Sequence, residues 1–214
     1  VAPKKKAKKL LKKGATKGAC VPVLTTAPPR CGTGGPCVVF QANGILGSVL
    51  NGLAGADQHC MNNAAQNAAL SGRQFKAWLS GGGQSPSTRF TNLANAGPYV
   101  LVGNANDNGN PPPTVASSFA ALTSCDNLGE TCLLHAIDRN ENGSDNGTSS
   151  FVWTGTREDG TGDTFTCDVW SDDGPTNEGL FGETTKTTSA WTASNVSTSC
   201  SGTVNGVYCF EQAT

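Results

Sequence analysis

The segment DRNENG, which begins at Asp138, carries the clearest pattern for chemistry in this 214-residue sequence. Asp138, Asn140 and Asn142 follow the D-x-N-x-N-G spacing that opens an EF-hand calcium loop, in which side-chain oxygens ligate the ion. Asp145 would add a second carboxylate, but the twelfth position is Ser149 where the loop needs a bidentate Glu. Two hypotheses follow: a calcium site at these four side chains, or a plain turn rich in Asp, Asn and Gly.

Other side chains that could take part in catalysis or binding are dispersed along the chain. A second oxygen-rich segment, NANDNGN at 104–110, resembles the first with less charge. His59 and His135 could act as bases beside a serine, but the sequence contains no G-x-S-x-G, H-E-x-x-H or P-loop motif. Two adjacent acid pairs could flank a glycosidic bond: Glu158 with Asp159, and Asp172 with Asp173. Because adjacent acids on turns usually point into water, an extracellular hydrolase remains an alternative without a visible site.

Short strands and one helix are the elements available to position these groups. A helical pattern begins at Gly52 and is expected to end near Gly72, with apolar residues at steps of three and four: Leu53, Ala56, Cys60, Ala64 and Ala68. The segments CVVFQANGI, FKAWLS and PYVLVG are predicted strands, and short apolar runs alternate with Gly and Asn turns after Phe119. The sequence therefore predicts an α+β fold with a mixed, mostly antiparallel sheet, one main N-terminal helix and many loops.

Charge divides the chain into a basic tail and an acidic body. Eight lysines lie within the first eighteen residues, which contain no acid: Lys4, Lys5, Lys6, Lys8, Lys9, Lys12, Lys13 and Lys17. The rest of the chain holds the other seven basic residues and all sixteen acidic ones, so this body carries a net charge of about −9. Residues 1–36 are predicted to be a flexible tail and linker, and residues 37–214 a single domain. The tail is either a solvated segment or an anionic-surface binder; nucleic acid is not the expected partner because no aromatic residue is interleaved.

Nine cysteines without a CxxC pair or zinc-type spacing predict disulfide bonds rather than a metal centre. Disulfides persist in oxidising compartments, so we expect a secreted or cell-surface protein. No apolar run reaches the roughly 18 to 20 residues of a membrane span, and none is predicted.

Four segments together resemble a known family: GLAGADQHC, FKAWLS, VWTGTREDGTGDTFTCDVW and CSGTVNGVYCFE. They are similar to endostatin, the globular C-terminal module of certain collagens. They are more similar to the bacterial endostatin-like domain family, whose function is formally unknown and which occurs in secreted and surface proteins, including some spirochaete adhesins. The similarity extends from about Cys37 to Gln212 and is weakest between Gly81 and Ser118.

The resemblance implies a C-type-lectin-like (endostatin-like) fold stapled by two core disulfides: Cys60 with Cys209, and Cys167 with Cys200. Of the five remaining cysteines, two close pairs can each close a small loop: Cys31 with Cys37, and Cys125 with Cys132. Spacing alone does not determine this connectivity. Cys20 is left over and is expected to be a free thiol or to form an intermolecular disulfide.

The expected function is binding. The resemblance implies a non-catalytic module, in a bacterium, that adheres to an extracellular protein or polysaccharide ligand. We expect contact through the irregular regions Gly81–Pro113 and Asn140–Ser150. A calcium-dependent carbohydrate-binding lectin is the alternative, although the Pro-containing triplet and WND-like strand with which C-type lectins hold calcium are missing. Endostatin's histidine-rich zinc site and arginine-rich heparin face also have no counterpart.

Overall fold

The centre of the fold is an eight-stranded mixed sheet, to which both halves of the chain contribute strands. The computed structural model describes residues 30–44, 50–125, 131–145, 150–202, 204 and 206–214. The lysines of the basic tail and Cys20 lie outside the described residues, so the predictions made for them stay predictions. No helix within these described ranges is both long and apolar enough to cross a membrane.

The strands of the sheet are short, as the sequence predicts. They are β1 Cys37–Asn43, β2 Phe75–Ala77, β3 Tyr99–Leu101, β4 Thr114–Ala116, β5 Phe151–Trp153, β6 Glu178–Glu183, β7 Ser197–Ser199 and β8 Gly206–Glu211. Their order is β4-β3-β1-β8-β5-β6-β7, and β2 also pairs with β8. The β1–β3 and β5–β8 pairs are parallel, and the other pairs are antiparallel. The predicted α+β class with a mixed, mostly antiparallel sheet is therefore confirmed.

One helix dominates the helical part of the described chain. The helices are α1 Gly52–Ala64, α2 Pro86–Arg89 and α3 Phe119–Leu122. The predicted N-terminal helix is confirmed, but it ends at Ala64 rather than near Gly72. Asn67 explains the early end, because its side chain accepts the backbone N–H of Ala69 at 2.9 Å and starts a separate 3₁₀ turn.

Strand β8 divides the interior into two apolar clusters, one on each face of the sheet. All six of its residues are buried. Val207 and Cys209 join the cluster under α1, whereas Tyr208 and Phe210 join the cluster that contains Trp78 and Trp191. The alternation follows from the two-residue period of a strand, and the burial of both faces places β8 at the centre of the molecule.

Four disulfides fasten the loops to this sheet: Cys31–Cys37, Cys60–Cys209, Cys125–Cys132 and Cys167–Cys200. These are the same four pairs that the sequence analysis names. Cys60–Cys209 joins α1 to β8 across 149 residues. Closing so long a loop stabilises the fold by about 4 to 5 kcal/mol in the chain-entropy account. The staple therefore holds the main helix against the central strand.

The last part of the predicted linker packs against the C-terminus of the domain. Cys31 is buried, and its carbonyl accepts the backbone N–H of Thr214 at 3.3 Å. Arg30 donates from Nη1 to the carbonyl of Gly72 at 3.2 Å. The two chain segments that flank the sheet thus meet at one end of the molecule.

Candidate functional site

Two of the side chains predicted to ligate calcium, Asn140 and Asp145, already use an oxygen within the protein. Asn140 Oδ1 accepts the backbone N–H groups of Asn142 and Ser144, each at 3.0 Å. Asp145 Oδ1 accepts from Arg139 Nε at 3.1 Å. Asp138 Oδ1 is buried without a hydrogen-bond partner among the described residues, and burial raises the pKa of this carboxyl. A raised pKa disfavours the charged form that a calcium ion needs.

Arg139 connects the two oxygen-rich segments that the sequence analysis singled out. Its guanidinium donates to both carboxylate oxygens of Asp107, at 2.9 and 3.1 Å, and to the carbonyl of Val102 at 3.1 Å. These bonds lower the pKa of Asp107. Together with Asp145 and a bond from Asn104 Nδ2 to the Gly143 carbonyl at 2.8 Å, they form what we call the Arg139 junction. An internal cation thus occupies the centre of this polar region.

The other candidate metal-binding and catalytic side chains also bond to groups within the protein. In the described residues, no group of three or more His, Cys, Asp or Glu side chains is arranged to hold a metal ion. His59 Nε2 lies 3.0 Å from the carbonyl of Asn43, and burial lowers the pKa of this histidine. His135 Nδ1 lies 2.9 Å from the carbonyl of Ala136. Neither histidine hydrogen-bonds a serine in the described part of the chain, so no nucleophile–base pair is formed there.

A groove of about 470 Å³ lies elsewhere, where two loops distant in sequence meet. One loop follows β2, and the other connects β5 to β6. We call this groove the threonine groove, and its lining residues are Gly81, Gly82, Gly83, Gln84, Ser85, Thr88, Thr161, Gly162, Asp163, Thr164 and Thr166. Hydroxyl and amide side chains and glycines make up most of this lining, although carbon atoms contribute the larger share of the exposed surface.

The glycine side of the groove is a tight turn from Gly81 to Gln84. The two end residues exchange backbone hydrogen bonds of 2.9 and 3.0 Å. Gly82 and Gly83 have φ values of +58° and +78°, as the centre of a type I′ turn requires. A Cβ atom on Gly83 would have no neighbour within 4 Å. The turn thus offers bare, exposed backbone that a ligand can approach closely.

Asp163 organises the threonine side of the groove. Its Oδ1 accepts the backbone N–H groups of Thr164 and Phe165 at 2.6 and 3.1 Å, and its Oδ2 accepts from Arg157 Nε at 2.9 Å. Burial alone would raise the pKa of Asp163, but these hydrogen bonds outweigh it and lower the pKa. The carboxylate is therefore charged and fully engaged at neutral pH.

Beneath the groove, buried hydroxyls form a continuous network. Ser80 Oγ lies 2.8 Å from Thr156 Oγ1, and Thr192 Oγ1 donates to the Thr156 carbonyl at 3.0 Å. Thr192 Oγ1 also accepts from Trp78 Nε1 at 2.7 Å. A Cβ atom on Gly162 would meet Cβ of Ser80 at 3.3 Å, so the network lies directly under the groove wall. A satisfied buried network of this kind rigidifies the surface above it.

A left-handed turn borders the groove. The four consecutive residues Cys167–Trp170 have φ values of 47°, 50°, 55° and 63°. A left-handed backbone costs an L-residue about 1 to 2 kcal/mol, and it is most unusual for the β-branched Val169. Asp168 and Val169, in the middle of the turn, are exposed. Such strain persists only where the surroundings impose it, and it concentrates at functional sites.

The two ends of this turn are held by the core. Cys167 is bonded to Cys200. Trp170 is completely buried, and its Nε1 donates to the carbonyl of Ser80 at 2.7 Å. The Trp170 carbonyl accepts the backbone N–H of Leu50 at 3.0 Å. These contacts at both ends fix the conformation of the turn and hold Val169 beside the groove.

A second hollow of about 380 Å³, the Val169 niche, adjoins the groove. It is lined by Leu53, Ala54, Asp57, Lys76, Gly81, Gly82, Gln84, Arg89 and Val169. The two hollows share Gly81, Gly82 and Gln84, so both lie against the same glycine turn. A Cβ atom on Gly81 would lie 3.2 Å from Cγ1 of Val169, which shows how closely the valine covers the glycine turn.

Comparison with known proteins does not identify the chain: no protein-family model matches the sequence, and no curated protein is significantly similar to it. Sequence reasoning named Gly81–Pro113 as a contact region, and its first residues do line the groove. It gave no function to the loop from Thr161 to Thr166, whose repeated threonines were the available signal.

Proposed function

We propose that this protein is an extracellular, non-catalytic binding module that adheres to a polysaccharide through the threonine groove. The observation that carries the proposal is the chemistry of the lining, which combines hydroxyl and amide groups with apolar surface on a rigid floor. Sugars present many neutral donors and acceptors, and a pocket recognises its ligand by a few well-placed polar groups of complementary kind.

The lack of a free acid–base pair in the groove favours binding over hydrolysis. Among the lining residues, Asp163 is the only carboxylate, and four hydrogen bonds already engage it. Glycoside hydrolysis ordinarily needs two carboxyl groups on opposite sides of the scissile bond. A hydrolase with these loops would have to perform its chemistry elsewhere.

A protein ligand is the second candidate within the same class of function. Protein interfaces are centred on clustered aromatic or aliphatic anchors. The exposed large apolar residues of the described chain are Leu134, Phe151, Phe165, Val169 and Val196. Two of them, Phe165 and Val169, flank the groove region, and the other three are not among its lining residues. This composition favours a sugar chain over a protein surface.

The four disulfides are compatible with an oxidising, extracellular location. The resemblance to the bacterial endostatin-like family supports the same location and suggests a C-type-lectin-like fold. We include both in the proposal. The sheet, the main helix and the staple from α1 to β8 agree with that fold.

The decisive experiment compares the parent protein with Gly83→Asn on immobilised polysaccharides and on extracellular proteins. Asparagine tolerates positive φ, so the turn should persist while a side chain enters the groove. We expect polysaccharide binding that falls at least tenfold in the variant, about 1.4 kcal/mol.

Gly109→Asn is the matched control. Gly109 has a φ of +80°, and a Cβ atom there would also have no neighbour within 4 Å, but Gly109 lies outside the groove. Equal loss in both variants, or binding confined to proteins, would overturn the proposal. Binding that vanishes at high salt and after deletion of residues 1–18 would instead assign it to the basic tail.

A further inference from the structure

We propose that the sugar unit recognised at this site is an N-acetylated hexosamine, with its ring in the threonine groove and its acetamido group in the Val169 niche. This inference rests on the proposed function and adds the chemical class of the ligand. It follows from the juxtaposition of two hollows at the turn Gly81–Gln84: a larger one lined by hydroxyl-bearing side chains and glycines, and a smaller one that contains Leu53, Ala54 and Val169.

The apolar wall of the niche suits a methyl group. Leu53 and Ala54, from α1, face Val169 across the hollow. Val169 is 37% exposed even though its backbone is left-handed. A ligand methyl placed there would remove apolar surface from water on both sides, at roughly 25 cal/mol per Å².

Two of the three charged residues of the niche neutralise each other. Arg89 Nη2 donates to both carboxylate oxygens of Asp57 at 2.6 Å. Its Nη1 donates to the carbonyls of Ala77 and Leu79 at 2.8 and 3.3 Å. Lys76 Nζ donates to the backbone carbonyl of Arg89 at 2.5 Å, so no other residue of the niche compensates its charge. The guanidinium is therefore engaged within the protein, and Lys76 is the net cation of this wall.

Gln84 provides the polar complement to an acetamido group. It lines both hollows and is exposed, and its side-chain amide has no hydrogen-bond partner among the described residues. An amide offers one acceptor and two donors, which matches the carbonyl and N–H of an acetamido group. An acetamido group is thus a single substituent with a methyl for the valine wall and an amide for Gln84.

Sugars with other substituents at this position fit less well. A hydroxyl would replace the methyl against the apolar wall and leave that wall uncovered. A free ammonium group would face Lys76, the cation that lines the same hollow, and would lose its own hydration. Selectivity is therefore expected to depend on the N-acetyl group.

The test measures binding of three soluble oligosaccharides of equal length by titration calorimetry: β-1,4-linked N-acetylglucosamine, β-1,4-linked glucose, and the deacetylated glucosamine form. They share a backbone and differ in the substituent at one carbon. We expect the N-acetylated oligomer to bind at least tenfold more tightly than the other two, the discrimination that one additional apolar contact and its amide can supply.

The variant Ala54→Leu fills the niche without touching the groove. Ala54 is exposed on α1, and leucine is a good helix former, so the fold should be retained. We expect the variant to lose the preference for the N-acetylated oligomer while its weak binding of the glucose oligomer is unchanged. Ala65→Leu, at an exposed alanine just after the same helix, should behave as the parent does.

The outcomes separate this inference from the function on which it rests. Equal affinity for all three oligomers, or an unchanged preference in Ala54→Leu, would overturn the N-acetyl assignment and leave polysaccharide binding in place. A failure to bind any of these oligomers, together with a failure to bind any polysaccharide in the Gly83→Asn experiment, would overturn both.

Discussion

The Arg139 junction and the threonine groove are both polar loop regions, but their hydrogen bonds are used in opposite ways. At the junction, one guanidinium satisfies Asp107, Asp145 and a backbone carbonyl. In the groove, Asp163 satisfies its own loop, while Gln84 and the backbone of Gly83 face outward. The polar groups of the junction mainly stabilise the fold, whereas the groove keeps polar groups that can still hydrogen-bond a ligand.

This contrast shows that residue type is a weak guide to a binding site. Asp, Asn and Gly make the junction look like a calcium loop in the sequence, yet those groups mostly bind one another. The groove is built mainly from Gly, Ser and Thr, residue types that do not indicate a binding site in a sequence. What distinguishes a site is the number of polar groups that the fold leaves without a partner.

The largest effect is expected for Arg139→Met. The arginine is only 7% exposed, and its loss would leave two carboxylates and the Val102 carbonyl without their donor. We expect the melting temperature to fall by about 6 °C or more. Arg157→Met, which removes a 52% exposed partner of Asp163, is the comparison and should change the melting temperature little. Equal shifts of the melting temperature in the two variants would show that the Arg139 junction stabilises the fold no more than the groove does.

A smaller effect of opposite sign is expected for Val169→Gly. Glycine relieves the left-handed strain at this position, so the free energy of unfolding should rise by about 1 kcal/mol. The same change removes one wall of the niche, and affinity for the N-acetylated oligomer should fall. Urea unfolding and calorimetry on the same preparation measure both quantities. A variant that is destabilised and binds normally would show that the turn serves stability alone.

The pH dependence of the groove should be smaller still and confined to acid. Because the folded pKa of Asp163 lies below its unfolded value of about 3.9, its contribution is complete above that pH and is lost as the pH falls through the folded pKa. Saccharide affinity should therefore be constant from about pH 7 down to about pH 4 and decline only at lower pH, as the pH falls through the folded pKa of Asp163. Asp163→Asn should remove this decline, and persistence of the decline would assign it to another acid, such as Asp159.

Calcium should have the smallest effect. The Arg139 junction already contains a cation, so thermal unfolding in millimolar calcium and in EDTA should give the same midpoint. A ligand bound only by the native state at 100 times its dissociation constant would add about 2.7 kcal/mol. A clear upward shift that Asp138→Ala abolishes would favour the calcium-dependent lectin instead.

Much of the scaffold was predictable from local patterns. The spacing of Ala56, Cys60 and Ala64 predicted the face of α1 that packs on the sheet, and those three residues are its buried ones. The end of α1 was wrong, because a side-chain hydrogen bond from Asn67 to the backbone competes with helix continuation and leaves no trace in apolar periodicity. Only the wall that begins at Gly81 was predicted as a contact region. The wall from Thr161 to Thr166 was missed, because it lies some eighty residues away in the sequence.

Local patterns in the chain were enough to predict the elements, because apolar periodicity and turn residues act within a few residues of the chain. Composition gave the acidity of the body, and the two core disulfides were expected from a resemblance that the comparisons do not test. Which polar groups are free became visible only in the folded chain. That depends on partners distant in sequence: Arg139 reaches Asp107, Ser80 reaches Thr156, and Trp170 sets the left-handed turn beside Gly81. Hydrogen-bond satisfaction is a property of the packed chain, so the binding surface emerges only when the loops are brought together.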